Sequence, residues 1–436
     1  MKIFLSVIIC RFLSFLGRLL KRGSSMPGLI VLKLFPDILR RLDFPELVIA
    51  VSGSNGKTST VEMLADALTA NGKKVIYNRE GSNQTEGICT LLLNNCSLKG
   101  KIKADAVVLE SDERYARLTF RHFSPSHFVV TNLFRDQMTR NGHPEWIFDL
   151  LGKGISSAKK LILNGDDPLV SAYGRGRNDV TYFGVARTSI SSDTCRGMYN
   201  DGFLCPVCHG RLSYEYYTMS HVGRFSCPSC GHGSFDISYQ VSCIDLDNKY
   251  IVVSGNRTVS LALASCYNVY NILAAYAACV EAGGDPDVTA KALSGHILRN
   301  GRVVTFKNGN GRGMLLVSKH ENSVSYNQSI EYVSRQKGEK TVLFIVDAIS
   351  RKYFTGETSW LYDIDFGSLK ADRIILSGKY CYDLKERFSF TDIPDETVTV
   401  EPDIEKAVRL TSDGYTYVIT CFSDMAKYLS RVEVDK

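Results

Sequence analysis

The residues with the clearest chemistry lie in one stretch near the front of the chain. Leu47-Val-Ile-Ala-Val51 is a short apolar run, rich in β-branched residues and of buried-strand length. It leads into Gly53-Ser-Asn55-Gly56-Lys57-Thr58-Ser59-Thr60. Val61, Leu64, Ala65 and Leu68 then recur at helical spacing, and Gly72 stands where a helix would stop. A strand, a glycine turn and a helix in that order make a phosphate site. The helix start offers N–H groups and a positive dipole end to an anion. Gly53 and Gly56 let the backbone come close to the phosphates. In loops of this type the lysine, here Lys57, reaches the β- and γ-phosphates, and the hydroxyl of the next residue, here Thr58, holds Mg²⁺. The usual loop has four residues between its glycines and this one has two, which points to a subtype and away from a generic ATPase or GTPase. A glycine turn that binds nothing is the competing reading. It leaves Gly-Lys-Thr at a strand-to-helix junction unexplained.

Cysteine spacing supplies a second constellation. Cys205-Pro-Val-Cys208 and Cys227-Pro-Ser-Cys230 are separated by 18 residues, within the range of a four-thiolate zinc site. Four thiolates close a tetrahedral shell and leave no position for water, so such a zinc is structural and not catalytic. Unliganded or redox thiols are the alternative. His209, His221 and His232 lie nearby and read as bystanders to a shell already full. The remaining nine of the 13 cysteines show no pattern, and several fall in apolar runs. That usage fits a reducing cytoplasm better than a secreted disulfide frame.

With 436 residues the chain exceeds a single core, and two or three domains are expected. Hydrophobic content of 44% and charged content of 22% are ordinary for a soluble globular protein. A net charge of +6, scattered along the chain, does not by itself imply nucleic acid. It suits a phosphate-bearing substrate or an anionic membrane surface.

Residues 45–190 alternate strand-like and helical runs, the pattern of a parallel sheet covered on both faces. Ligands gather at the carboxyl ends of such strands. There lie Glu110, Asp112 and Glu113; Asn132, Arg135 and Asp136; and Asn164, Asp166 and Asp167. Glu110, at the end of a strand beside the loop, is the Mg²⁺ candidate, against a plain solvated strand end. Asn164-Gly-Asp-Asp-Pro168 reads equally as a contact to base or ribose and as a turn. Residues 241–300 return to the same domain. Tyr267-Asn268-Val-Tyr-Asn271 opens a helix that ends at Gly283-Gly284, and Asn268 is the expected cap. After Arg299-Asn-Gly-Arg302 a second α/β unit is expected, entered through a hairpin or hinge at Asn308-Gly-Asn-Gly-Arg-Gly313. The expected divisions are an N-terminal helical segment over 1–44, an ATP-binding domain over 45–300 with the cysteine ribbon inserted at about 200–235, and a C-terminal α/β domain over 301–436. The start, Met1-Lys-Ile-Phe-Leu-Ser-Val-Ile-Ile-Cys10, has an apolar run of only eight residues, then Arg11 and Arg18, and no small-x-small cleavage site. It reads as an amphipathic helix that either packs on the protein's own body or touches a membrane or a partner.

Taken together, the motifs resemble a family. Gly53-Ser-Asn-Gly-Lys-Thr-Ser-Thr60 is similar to the shortened phosphate loop of the Mur ligases, the ATP-dependent amide-bond enzymes of peptidoglycan synthesis, whose relatives include folylpolyglutamate synthase. Leu109-Glu-Ser-Asp-Glu113, Val130-Thr-Asn-Leu-Phe-Arg-Asp-Gln137, Asn164-Gly-Asp-Asp-Pro168 and Tyr267-Asn-Val-Tyr-Asn271 resemble the MurT subfamily. So do the inserted cysteine ribbon and Ser359-Trp-Leu-Tyr-Asp-Ile-Asp-Phe366. The likeness runs from about Lys21 to the end of the chain.

The resemblance implies a Mur ligase-like parallel-sheet domain bearing a zinc ribbon, followed by a smaller MurT-type α/β domain. It implies a synthetase that works with a separate glutaminase subunit, GatD, to turn the α-carboxylate of D-glutamate in lipid II into an amide through an acyl phosphate. ATP, Mg²⁺ and Zn²⁺ are the expected cofactors, and a cytoplasmic site at the inner face of the membrane is expected. Lys57 and Thr58, with Gly53, Asn55, Gly56 and Ser59 around them, would hold the phosphates, and Thr58 and Glu110 the Mg²⁺. Asn132, Asn164, Asp166, Asn268 and Asn271 would sit at the nucleotide, which replaces the cap reading of Asn268. An aspartate of the C-terminal domain would complete the glutaminase triad, Asp347 first and Asp363 second. Two segments depart from the family pattern. Asn-Asp-Asn and Ala-Asp-Gly-x-Asp become Val346-Asp347-Ala348 and Tyr353-Phe-Thr-Gly-Glu357, and Asn-Pro-x-Gly becomes Asn322-Ser-Val-Ser325. Other readings are a Mur- or folate-type ligase that adds an amino acid, a phosphate-loop protein whose ribbon grips nucleic acid, and a scaffold without activity. The ribbon lacks the Lys/Arg-rich aromatic stripe of a nucleic-acid site.

Overall fold

The computed structural model describes residues 1–20, 25–78, 82–296, 303–348 and 356–435. Arg299–Arg302 and Tyr353–Thr355, two places marked out in the sequence, lie outside the described residues. The chain divides into two compact units: Met1–Phe134, Pro144–Arg196 and Asp201–Ile297 form unit 1, and Arg135–His143, Gly197–Asn200 and Leu298–Lys436 form unit 2.

Unit 1 opens with helices α1 (Lys2–Leu19) and α2 (Met26–Leu34). Strands β1 (Leu47–Ser52), β2 (Val75–Tyr77), β3 (Ala106–Glu110), β4 (His127–Val130), β5 (Lys160–Asn164) and β6 (Val180–Val185) follow. Helices α3 (Lys57–Ala70), α4 (Thr85–Asn94) and α5 (Ala116–Thr119) lie between the first four strands; α6 (Met138–Asn141) belongs to unit 2; α7 (Pro144–Ile155) and α8 (Pro168–Ala172) flank β5. A separate hairpin, β7 (Ser213–Met219) with β8 (Val222–Ser226), precedes β9 (Tyr239–Asp245), β10 (Tyr250–Val253) and β11 (Arg257–Ser260). Helices α9 (Cys266–Glu281) and α10 (Pro286–Leu293) close the unit.

The main sheet of unit 1 runs β11-β10-β9-β6-β5-β4-β1-β3-β2. From β2 to β9 every pairing is parallel, and β10 and β11 extend the sheet antiparallel. Every residue of β3, and all of β1 but Leu47, is buried, as a sheet covered on both faces requires. The chain winds to one side of β1 through β2 and β3, then to the other through β4, β5 and β6. The crevice beyond the carboxyl ends of β1 and β4 is therefore the topological switch point, where ligands collect in such sheets.

The N-terminal segment is not a separate body. Val7 and Cys10 of α1 and Val31 of α2 enter the same buried cluster as Leu92 of α4 and Leu109 of β3. The α2–α4 contact depends on one glycine. Gly28 N–H donates to Thr90 Oγ1 at 2.8 Å, and a Cβ built on Gly28 would stand 1.9 Å from the carbonyl oxygen of Glu86.

Unit 2 holds β12 (Val303–Asn308), β13 (Gly311–Ser318), β14 (Thr341–Ile345), β15 (Arg373–Ser377), β16 (Val398–Val400), β17 (Tyr415–Cys421) and β18 (Glu433–Val434). Their order is β16-β15-β14-β17-β13-β12-β18, parallel from β16 to β13 and antiparallel at the β12 and β18 edge. Helices α11 (Ser323–Arg335), α12 (Cys381–Phe388), α13 (Ile404–Arg409) and α14 (Phe422–Leu429) cover it. One face buries Ile330, Trp360, Phe366 and Phe388; the other buries Phe306, Ala407 and Tyr428. The hairpin expected at Asn308–Gly313 is the tight β12–β13 turn, in which Asn308 pairs with Gly311 and Gly309 takes φ +60°.

The contact at Gly28 yields a test. In an open helix Gly→Ala is stabilising by up to about 1 kcal/mol. At Gly28 the new methyl meets backbone, and overpacking of this kind costs about 1–3 kcal/mol. Gly28→Ala is expected to lower the urea midpoint. An unchanged or raised midpoint would mean that α2 moves off α4 without loss.

Candidate active site

The loop predicted to hold phosphate joins β1 to α3 at the switch point. Gly53 has φ +131° and Gly56 φ +83°, conformations that only glycine takes easily. Each is also pressed from outside. A Cβ on Gly53 would lie 2.3 Å from Thr131 Oγ1, and one on Gly56 would lie 1.9 Å from Asn271 Oδ1 of α9. The end of β4 clamps the loop. Asn55 N–H donates to Asn132 Oδ1 at 2.9 Å, Asn132 Nδ2 donates to Asn55 O at 3.1 Å, and Thr131 Oγ1 donates to the same carbonyl at 2.7 Å. Ser59 is buried in the first turn of α3.

Lys57 is buried, and its ammonium donates to Gly53 O and to Glu113 Oε1, each at 2.5 Å. Thr58 Oγ1 donates to Glu110 Oε2 at 2.8 Å, while Asn83 Nδ2 donates to the other oxygen, Oε1, at 2.9 Å. Asn78 fixes the backbone beneath, accepting from Glu110 N–H at 2.7 Å and donating to Glu110 O at 2.9 Å. The structure therefore brings together Gly53, Asn55, Gly56, Lys57, Thr58, Glu110, Asn132 and Asn271. It adds Asn78, Asn83 and Glu113, which the sequence reading did not assign a role. Asn78 and Glu113 lie just past strands and Asn83 just before a helix.

These residues fit a nucleotide with its Mg²⁺. A hydroxyl and a carboxylate at hydrogen-bond distance are hard oxygen donors of the kind Mg²⁺ takes. Asn55 Nδ2 is buried and has no hydrogen-bond partner among the described residues. A buried donor left so costs about 1–3 kcal/mol, which an anionic oxygen held at the loop can offset.

The remaining nucleotide candidates are engaged inside the protein. Asn164 Nδ2 donates to Thr131 O at 2.9 Å and its Oδ1 accepts from Asp166 N–H at 3.1 Å. Asp166 Oδ2 accepts from Val185 N–H and from Tyr270 Oη, both at 2.7 Å. Its neighbour Asp167 caps α8 through Leu169 N–H and Val170 N–H and accepts from Leu133 N–H at 2.7 Å. These three residues stiffen the floor under Thr131 and Asn132. The cap of α9 is Ser265, whose Oγ accepts from Asn268 N–H at 3.3 Å, so the cap expected of Asn268 falls three residues earlier. Asn268 Nδ2 turns back to Leu263 O at 3.1 Å.

The four ribbon cysteines meet, with all sulfurs within 4.8 Å of one another. Cys205 Sγ lies 3.7 Å from Cys230 Sγ, and Cys208 Sγ lies 3.5 Å from Cys227 Sγ. Four sulfurs at about 2.3 Å from a tetrahedral ion stand about 3.8 Å apart, so the cluster matches a zinc site. The ribbon leans on the rest of unit 1 through Tyr216 Oη to Val185 O at 2.8 Å, Gly223 N–H to Asp166 O at 2.9 Å, and His232 Nε2 against Pro168 O at 3.0 Å. His221 is buried against Phe134 and lies 4.0 Å from Asp167 Oδ2.

In unit 2, Asp347 lies past the end of β14. Its Oδ1 accepts from Lys379 N–H at 2.8 Å, and its Oδ2 pairs with the Lys427 ammonium. Partial burial would raise its pKa, but Lys427 and the Lys379 N–H outweigh that and hold it below the ordinary value. The fully buried Asp424 accepts from the backbone N–H groups of Asp347 and Ala348 at 2.9 and 3.0 Å. Asp363 stands elsewhere in the unit, 3.9 Å from the Arg135 guanidinium. A further polar cluster joins Asp136 to Asn322 at 2.7 Å and to Lys319 at 3.4 Å. Asn322 also caps α11 through Ser325 N–H at 2.8 Å.

Comparison with known proteins places this geometry. Residues 51–203 match the Mur ligase middle domain, and residues 320–425 match the MurT ligase C-terminal domain. The protein of Staphylococcus aureus (strain COL) named lipid II isoglutaminyl synthase (glutamine-hydrolyzing) subunit MurT is 30% identical over 419 residues, 94% of this chain and 93% of that protein. The chain belongs to the MurT family. The MurT subunit of Streptococcus pneumoniae (strain ATCC BAA-255 / R6) is 29% identical over 422 residues, 94% of this chain and 92% of that protein. A solved pseudomurein peptide ligase type C from Methanothermus fervidus superposes with a TM-score of 0.67 at 21% identity, over 91% of this chain and 80% of that one, and shares the Mur ligase fold. As a MurT chain the protein is an enzyme, the synthetase subunit of a Mur-class, ATP-dependent ligase.

The carboxylate under the loop gives a pH test. Burial raises the Asp166 pKa from 3.8 to about 6, partly opposed by the Val185 and Tyr270 hydrogen bonds. Folding therefore tightens its proton, and the stability this lends is complete below the unfolded value and lost as the pH rises through about 6. The difference is on the order of 3 kcal/mol. Asp166→Asn keeps one oxygen for both bonds and does not titrate. Relative to wild type it is expected to gain stability between pH 4 and pH 6.5, read from urea unfolding. A gap that stays constant across that range would remove the buried-acid assignment.

Proposed function

We propose that this MurT chain is the synthetase half of a glutamine-dependent amidotransferase that converts the α-carboxylate of D-glutamate in lipid II to the amide. One observation carries the reading: Thr58 Oγ1 and Glu110 Oε2 stand 2.8 Å apart at an intact phosphate loop in a chain of this family. A carboxylate is a poor acyl donor until it bears a good leaving group, and in this reading ATP supplies one as an acyl phosphate. The chain's own work is positioning and charge neutralisation. Gly53, Asn55, Gly56 and the start of α3 cradle the phosphates, and Lys57 neutralises them. Thr58 and Glu110 hold Mg²⁺, with Asn83 and Asn78 orienting the Glu110 carboxylate. Asn132 and Asn271 hold the loop at the nucleotide. Ammonia comes from a GatD-like glutaminase, bound as the second subunit of a heterodimer. Asp347, kept ionised by Lys427, is the better candidate to orient the glutaminase's catalytic base, with Asp363 the second. The ribbon cysteines hold a structural Zn²⁺.

Two variants in the co-purified complex separate these roles. Lys57→Ala is expected to reduce lipid II amidation and ATP turnover by at least about a thousandfold while the complex stays assembled. Unchanged turnover would sink the loop assignment. Asp347→Asn is expected to slow glutamine hydrolysis far more than ATP turnover fed with free ammonia. A parallel fall in both, or in neither, would exclude that residue.

The metal is tested separately. Elemental analysis of the purified chain is expected to give about one zinc per chain, and Cys208→Ser to lower it. A well-folded wild-type preparation free of zinc would reject the metal.

A further inference from the structure

The outward face of α1 takes no part in the chemistry above. At about 100° per residue, Phe4, Ile8, Phe12, Phe15 and Leu19 fall within an arc of about 80°. All five are between 43% and 66% exposed. The opposite side fixes the helix to unit 1. Val7 and Cys10 are fully buried and Asn94 Nδ2 donates to Ser14 Oγ at 3.0 Å, while Arg11, at the margin of the arc, donates to Cys96 O at 2.5 Å. The packed side and the apolar arc are therefore distinct, and the arc cannot turn inward without breaking those contacts. A continuous stripe of large apolar side chains on a protein surface marks an interaction site.

We propose that this face of α1 seats the protein on a bilayer surface that carries anionic lipid, with the helix lying along the interface. Charge selects the occupant. Residues 1–36 contain six Lys or Arg and no Asp or Glu. On the helix, exposed Lys2 and Arg18 flank the apolar arc on its two sides. Phe and Leu on one face with cations at its margins is the composition of an interfacial helix, and an acid-free cationic segment favours an anionic surface. No helix among the described residues is long and apolar enough to cross a membrane, so the mode is lying on the surface, not spanning. The arrangement also ties this face to the site. Helix α1 is bonded to α4, and α4 begins two residues after Asn83, whose amide holds Glu110. The lipid-linked substrate of the preceding section gives such seating a purpose, but the inference stands on the helix and is tested without turnover.

The test is co-sedimentation of the full-length chain with phosphatidylcholine vesicles, with and without a quarter of phosphatidylglycerol, at low and high salt. Wild type is expected to sediment with the anionic vesicles and to be released by salt or by omission of the anionic lipid. The double variant F12E/F15E is expected to lose at least about tenfold in partitioning, and Arg18→Glu several-fold with a shallower salt dependence. Matching urea midpoints show that the variants fold. A folded wild type that does not bind anionic vesicles, or an F12E/F15E protein that binds as wild type does, overturns the proposal. So does loss of self-association or of glutaminase binding in F12E/F15E without vesicle binding by wild type, which would assign the face to a protein. Failure of lipid II amidation leaves the vesicle result intact and counts against the proposed function alone.

Discussion

Unit 1 is arranged around a buried lysine, Lys57, only 7% exposed. A cation removed from water must be paired, because the desolvation cost of an isolated buried charge exceeds anything local packing returns. Lys57 meets the demand with Gly53 O and the Glu113 carboxylate, both 2.5 Å away. Those partners exist only if the loop is held in a conformation that no β-carbon allows at Gly53 or Gly56, with φ +131° and +83°. The clamp from Thr131 and Asn132 keeps it there. Preorganised charges of this kind act at a transition state without reorganisation at the moment of reaction.

The ribbon is connected to the same floor. Its hairpin contacts Asp166 and Val185 by backbone and by Tyr216, and Asp166 in turn is bonded to Tyr270 of α9, one residue before the Asn271 that presses on Gly56. A metal ion held by the four clustered sulfurs would have a closed shell, with no open position for substrate. The ribbon's own bonds reach Val185 at the end of β6 and Asp166 just past β5.

The parallel sheet was legible because its strands are buried on both faces and appear as unbroken apolar runs. Leu47–Val51 lies within β1, and the strand expected to end at Glu110 is β3. β10 and β11 were not legible. They extend the sheet antiparallel, and their alternating residues carry no signal apart from that of an exposed hairpin. Of the site, Lys57, Thr58 and Glu110 announced themselves by spacing and strand position. Asn78 and Asn83 did not, since an asparagine after a short strand is a turn former first, and its bond to Glu110 depends on folding across 32 and 27 residues of sequence. Asn268 misled for the opposite reason. It stands three residues past the true cap, and local capping preference cannot resolve Ser265 from Asn268 when both are good caps.

The departures from the family's pattern fall in unit 2, and their physical consequences differ. At Asn322-Ser-Val-Ser325, where the resemblance led us to expect proline and glycine, polar side chains close the turn. Asn322 caps α11 and binds Asp136, and Ser325 Oγ both donates to Asn322 O at 3.2 Å and accepts from Lys319 N–H at 3.0 Å. The turn is rebuilt from side-chain hydrogen bonds instead of backbone constraint. At Val346-Asp347-Ala348 a single carboxylate is held by Lys427 and by the Lys379 N–H, with Asp424 gripping the backbone from below. An ion pair with an exposed lysine fixes a carboxylate less firmly than flanking amides would, because salt and water compete for it. The carboxylate beside the phosphate loop, by contrast, is held on both oxygens by uncharged donors, Thr58 Oγ1 and Asn83 Nδ2. The two carboxylates therefore differ in how they are aimed: Glu110 is fixed by hydrogen bonds from uncharged groups, whereas Asp347 leans on an ion pair that salt screens.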